Sequence, residues 1–186
     1  MNEKKLQFLK DEVYALSLKA SITRNRQKVY KDVADAEKEQ FRKDLKSEIF
    51  AISEQYKSDV SVENHRLNIE NLSNLISKKH GEILINNRFR IGNSQKILNV
   101  YLKYLWCLEL IQPPPDMIID GFVLSEIKKR YKQKYNSHPE ILDNNFTEFD
   151  DIEIYKKIIE CCEKVCLLPL CQAELEMWSE VKNGCA

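Results

Sequence analysis

Glycine and proline are scarce. The 186 residues hold 4 Gly and 5 Pro, three of the prolines consecutive at 113–115. An all-β fold needs frequent turns, and so few chain-breakers cannot supply them. No run of about 18 apolar residues occurs, so nothing reads as a membrane-spanning segment. The first ten residues carry three lysines but no apolar core of a secretion signal. The six cysteines, Cys107, Cys161, Cys162, Cys166, Cys171 and Cys185, are expected to be reduced thiols of an intracellular, cytoplasmic chain. An excess of charge of either sign is also missing, with 29 basic and 29 acidic side chains.

What is present is apolar matter and an uneven distribution of charge. Hydrophobic residues make up 43% of the chain, enough for a real interior in one helical unit, or in two lobes, 1–80 and 81–186, sharing a cleft. Residues 1–77 are nearly balanced, 78–134 carry a net +6, and 135–186 a net −7. The asymmetry reads either as a basic working face opposed by an acidic region or as ordinary solvated charge.

Apolar periodicity predicts an all-α fold. Helices are expected over about 3–23, 33–56 and 61–79. The second carries the stripe Phe41, Leu45, Ile49, Ile52 and Tyr56. Ser61 is the expected N-cap of the third. Leu67, Ile69, Leu72, Leu75 and Ile76 are its expected buried side. Gly81 to Gly92 then breaks the pattern as a hairpin-like connection. A fourth helix is expected over 93–110, and twelve of the fifteen residues Ile97–Ile111 are apolar or aromatic. A helix apolar nearly all round belongs at the centre of a fold. Its polar exceptions Lys96, Asn99 and Lys103 are spaced by three and four. They form one strip, lining either a cleft or a solvated edge. A fifth helix, about 122–135, ends in the basic run KKRYKQK, and two more fill the tail, broken near Pro169.

Lys96 and Asp120 stand out chemically. If Asn93 or Ser94 caps the fourth helix, Lys96 lies in its first turn, where the dipole disfavours a cation. Burial works the same way, leaving more free amine and a candidate nucleophile. From Lys96 to Ile111 the helix rises roughly 22 Å. The nine steps from Ile111 to Asp120 span about 30 Å if extended, and the prolines favour extension. The chain can therefore run back along the helix and set Asp120 beside Lys96, where Asp120 would cap the fifth helix.

The segment Arg88-Phe-Arg-Ile-Gly-Asn-Ser-Gln-Lys96, the helix it opens and the loop Pro114-Pro-Asp-Met-Ile-Ile-Asp120 resemble the active-site region of helix-hairpin-helix DNA glycosylases. The resemblance covers about a fifth of the chain. It implies Lys96 as the catalytic amine, Asp120 as the catalytic carboxylate and Gly92 as the hairpin glycine. Arg88, Arg90, Lys103 and the backbone around Asn93 would hold DNA. Asn99 and Trp106 would face the flipped base, with Tyr101 and Tyr104 as further stacking candidates. The implied partner is duplex DNA carrying a modified base, taken by a monomer without cofactor or metal. Departures are a single hairpin glycine, a four-residue spacing to Lys96, and Ile118 close to an expected proline. The tail cysteines do not fit the iron–sulphur pattern of some members and read as core residues. Two other classes compete. One is a non-enzymatic helical binding module, an inhibitor or a subunit of a defence or regulatory assembly. The other is a helical ribonuclease needing an Arg followed by four to six residues and a His, and His65, His80 and His138 are not so placed.

Overall fold

The structure, a computed structural model, describes residues 2–23 and 28–184; Cys185 lies outside them. Among the described residues seven α-helices follow one another: α1 (Glu3–Leu18), α2 (Asp35–Ser53), α3 (Val62–His80), α4 (Ile91–Cys107), α5 (Gly121–Tyr135), α6 (Ile152–Val165) and α7 (Leu170–Gly184). Helical turns of all kinds account for 74%, and no strand forms among the described residues, so the fold is all-α as expected. No helix there is long and apolar enough to cross a membrane.

Local signals explain most boundaries. Ser61 caps α3 by accepting the Asn64 N–H at 3.2 Å. Phe41, Leu45, Ile49 and Tyr56 are buried along the second element, and Ile52 is half-buried. On α3 the buried face is His65, Ile69, Leu72, Ser73 and Ile76. Leu67, expected inside, is 50% exposed. At 3.6 residues per turn it stands about 200° round the helix from Ile69. The connection from α3 to α4 is two short 3₁₀ turns, with Asn86 and Asn87 in the left-handed region at φ 57° and 55°. Asparagine tolerates that region better than most residues.

α4 is the centre of the molecule, with twelve buried residues from Ile91 to Leu105. It starts two residues earlier than expected and ends at Cys107, where Glu109 turns left-handed at φ 57°. Lys96 is therefore the sixth helical residue, beyond the first turn. The dipole argument for its free amine lapses, because that effect fades within one turn.

One buried group makes stability pH-dependent. His65 is fully enclosed, with Nδ1 at 2.7 Å from the Tyr56 hydroxyl. Burial pushes its pKa down to about 4, against the pull of Asp116 and with the push of Arg66. The unfolded imidazole titrates near 6.5. Between those values the unfolded chain binds the extra proton, so stability is full above about pH 6.5 and falls as the pH drops towards 4. The whole loss is roughly 3 kcal/mol. Urea unfolding at pH 7 and 4.5 should show it, and His65→Gln should flatten the difference. An equal slope in that variant would assign the loss to other groups.

Candidate active site

The site is built on a strap, residues 112–120, that runs back along α4. Its start is tied by the Gln112 N–H to Tyr56 O at 2.7 Å, and its middle is pinned by Asp116, which is 2% exposed and takes two bonds from the Arg66 guanidinium at 3.1 and 3.3 Å. Each of the next three residues is then held by a side chain. Asn99 Nδ2 donates to Met117 O at 3.2 Å. The Ile118 N–H donates to Glu174 Oε2 at 3.0 Å. Gln95 pairs with Ile119 in both directions, accepting its N–H at 3.1 Å and donating to its carbonyl at 2.6 Å. Burial of Met117, Ile118 and Ile119 seals the strap against the core.

Asp120 ends the strap and caps α5. Its Oδ1 accepts the N–H groups of Phe122 and Val123, both at 3.0 Å. That leaves Oδ2 to face Lys96, whose Nζ lies 3.7 Å away. This is ion-pair distance, longer than a hydrogen bond. Both side chains are largely shielded, at 12% and 14% exposure. Burial lowers the Lys96 pKa below the ordinary lysine range; Asp120 works against that shift, and Lys103 adds to it. The ammonium also lies 4.3 Å from the centre of the Phe146 ring.

The pair opens into a cavity of about 960 Å³ whose lining includes Lys96, Lys103, Asp120, Lys128, Phe146 and Trp178. That volume is at the upper end for a small-molecule pocket. Trp178 of α7 packs on Phe122 of α5, ring centres 4.4 Å apart, which brings the last helix to the cavity wall.

Of the expected site residues, Lys96, Asp120 and Lys103 meet in this cavity. Of the expected base-facing and stacking residues, only Tyr104 joins them. Asn99 is 1% exposed and turns from the cavity towards Met117 O and the Tyr155 hydroxyl, both at 3.2 Å. Trp106 is half-buried and does not line the cavity. Tyr101 is core, stacked on Phe50 at 5.4 Å, whereas Tyr104 reaches the cavity wall.

The expected phosphate-holding turn is occupied by the protein itself. The Ile91 N–H donates to Asp150 Oδ1 at 3.1 Å, the Gly92 N–H to Phe149 O at 3.2 Å and the Asn93 N–H to Arg90 O at 3.0 Å. Arg88 is paired with Asp150 at 2.8 Å and bound to Asn74. Arg90 is 8% exposed and donates to Thr147 O. Arg88, Arg90, Ile91 and Gly92 thus seat the segment 146–150 on the start of α4, where the Asn93 N–H is taken up by Arg90 O. The net +6 stretch is in part neutralised by the net −7 tail, through Arg88–Asp150, Lys103–Glu174 and Lys128–Asp143.

Local pattern did not point to Gln95, Lys128, Phe146, Glu174 or Trp178. One signal was present for Glu174. It interrupts the apolar positions Leu170, Ala173 and Met177 of one helical face, and a lone carboxylate there needs a partner. Nothing local marked Phe146.

No protein-family model matches the chain, and searches of curated proteins and of solved structures return no match. The chemistry must be judged from the site. A shielded amine of lowered pKa, a carboxylate with one oxygen fixed by a helix start, and an aromatic wall suit attack on an electron-poor carbon.

Proposed function

We propose that this chain is a DNA glycosylase, acting as a monomer on a modified or damaged base flipped out of the duplex. The observation that carries the reading is the approach of Lys96 Nζ to Asp120 Oδ2, 3.7 Å apart at the wall of the cavity though 24 residues separate them. In this reading the N-glycosidic bond breaks, and its electron pair leaves with the base, which takes up a proton. Asp120 stabilises the positive charge growing on the deoxyribose. The free amine of Lys96 bonds to the sugar carbon and gives up its proton. Ring opening with a second proton transfer yields a Schiff base, the route to strand cleavage. With water as nucleophile the product is an abasic site. Phe146, Tyr104 and Trp178 offer stacking surfaces for the base.

The start of α4 is occupied, so the DNA contact in this reading falls to α5. Lys128 lines the cavity, and Lys129, Lys132 and Lys134 of the same helix are exposed. Affinity for duplex DNA should fall steeply with salt. Lys129→Glu with Lys132→Glu should weaken binding to all sequences alike and flatten the salt slope by about 2, one for each lost phosphate contact. Fluorescence anisotropy at several salt concentrations measures both. An unchanged slope would remove α5 as the contact surface.

The enzymatic test is incubation with duplexes carrying varied modified bases, then alkali and borohydride trapping. Released base with a trapped adduct supports the reading. One observation favours the alternative, a non-enzymatic helical binding module: Arg88 and Arg90 are bound within the fold. Absence of DNA affinity at low salt together with absence of base release would select that alternative.

A further inference from the structure

The strap and the second cavity lysine share one partner. Glu174 of α7 is 1% exposed. Its Oε1 lies 2.7 Å from Lys103 Nζ, and its Oε2 accepts the Ile118 N–H at 3.0 Å. Ile118 stands two residues before Asp120. Lys103 stands seven residues after Lys96 on α4, about 10 Å along the axis. A buried carboxylate is costly unless both oxygens are satisfied, and here each oxygen serves a different arm of the site.

We infer that Glu174 is a positioning residue for the Lys96–Asp120 pair: one oxygen fixes the strap that presents Asp120, and the other neutralises the lysine two turns along α4 from Lys96. The inference rests on the reading of that pair as the reacting groups. The groups facing Lys96 are Lys103 on its own helix, Asp120 at the start of α5, Lys128 across the cavity on α5, and the Phe146 ring. Glu174 acts on Lys96 through Lys103, whose charge lowers the Lys96 pKa. Without Glu174 that charge is no longer offset, and the Lys96 titration moves further down. Loss of the Ile118 acceptor, by contrast, loosens the strap and with it Asp120.

Two substitutions separate the effects. Glu174→Gln keeps an acceptor for the Ile118 N–H but removes the negative charge; Glu174→Leu removes both. The Lys96 ammonium is followed by NMR on lysine-labelled protein without DNA, and base release is followed across pH on a substrate duplex. In Glu174→Gln the Lys96 midpoint should fall below that of the unaltered protein, and Lys103→Met added to it should bring the midpoint back up. Base release at its high-pH plateau should fall least in Glu174→Gln, and by about 10–100-fold in Glu174→Leu per folded molecule. An unmoved Lys96 midpoint in Glu174→Gln overturns the proposal. So does equal plateau loss in the two variants. If no variant or parent releases base while the midpoint still falls and recovers, the link from Glu174 to Lys96 holds and the excision reading is the one that fails.

Discussion

Asp120→Asn is expected to cut base release by on the order of 10²–10³-fold while DNA binding is retained. Asparagine is as good a helix N-cap as aspartate, so its side-chain oxygen still accepts the Phe122 and Val123 N–H groups and α5 still starts at the same place. What disappears is the negative charge 3.7 Å from Lys96, the one group of the pair able to stabilise a cationic sugar. The loss should therefore fall on turnover and not on affinity. Lys96→Gln tests the other half. It should remove the borohydride-trapped adduct entirely, and any base release that remains identifies water as a competent nucleophile. If Asp120→Asn released base at the parental rate, Asp120 would be a helix cap and nothing more.

Gly92→Ala is expected to cost about 3 kcal/mol, although alanine ordinarily strengthens a helix by about 1 kcal/mol over glycine. A Cβ at position 92 would overlap the carbonyl oxygen of Phe146 and lie 2.9 Å from its carbonyl carbon. Those are backbone atoms, so no side-chain rotation relieves the contact. The segment 146–150 must then lift from the start of α4, losing the Gly92–Phe149 hydrogen bond and drawing Phe146 off Lys96. For a chain of this size the thermal midpoint should drop by roughly 6–12 °C. Protease cleavage between 144 and 150 should appear at the same time. A midpoint within about 1 °C of the parent would show that the loop yields without cost, against the packing argument.

The parts of the site legible in the sequence are those set by short-range geometry. Helix rise and the stiffness of three prolines fix how far the chain can return, and that was enough to bring Asp120 to Lys96. Capping chemistry placed Asp120 and Ser61 at helix starts. What stayed hidden depends on partners far along the chain. Spacing puts Asn99 on the Lys96 strip, but Met117 and Tyr155 take its side chain. Arg90 looks like a surface cation until Thr147 arrives over it. The start of α4 reads as Asn93 because the groups that extend it to Ile91, Asp150 and Phe149, come from more than fifty residues away. The roles of the aromatics are hidden for a related reason. Trp106 and Tyr104 lie two residues apart on one helix, roughly 200° round it, and only the placement of α7 decides which of them faces the cavity.

The distance between partners also sets an order of assembly on the ribosome. Lys103 meets Glu174 across 71 residues, and Arg88 meets Asp150 across 62. When Asp120 has been synthesised, the roughly 60 residues that bring Phe146, Glu174 and Trp178 are still to come, about 3–12 s of elongation at about 5–20 residues per second. During that interval α4 has its apolar surface and Lys96 has Asp120, but Lys103 lacks its counter-charge and the cleft its wall. A nascent chain stalled before α7 thus has Lys103 without its carboxylate and Ile118 without its acceptor, and the emergence of α7 is the event that both walls the cleft and fixes the strap.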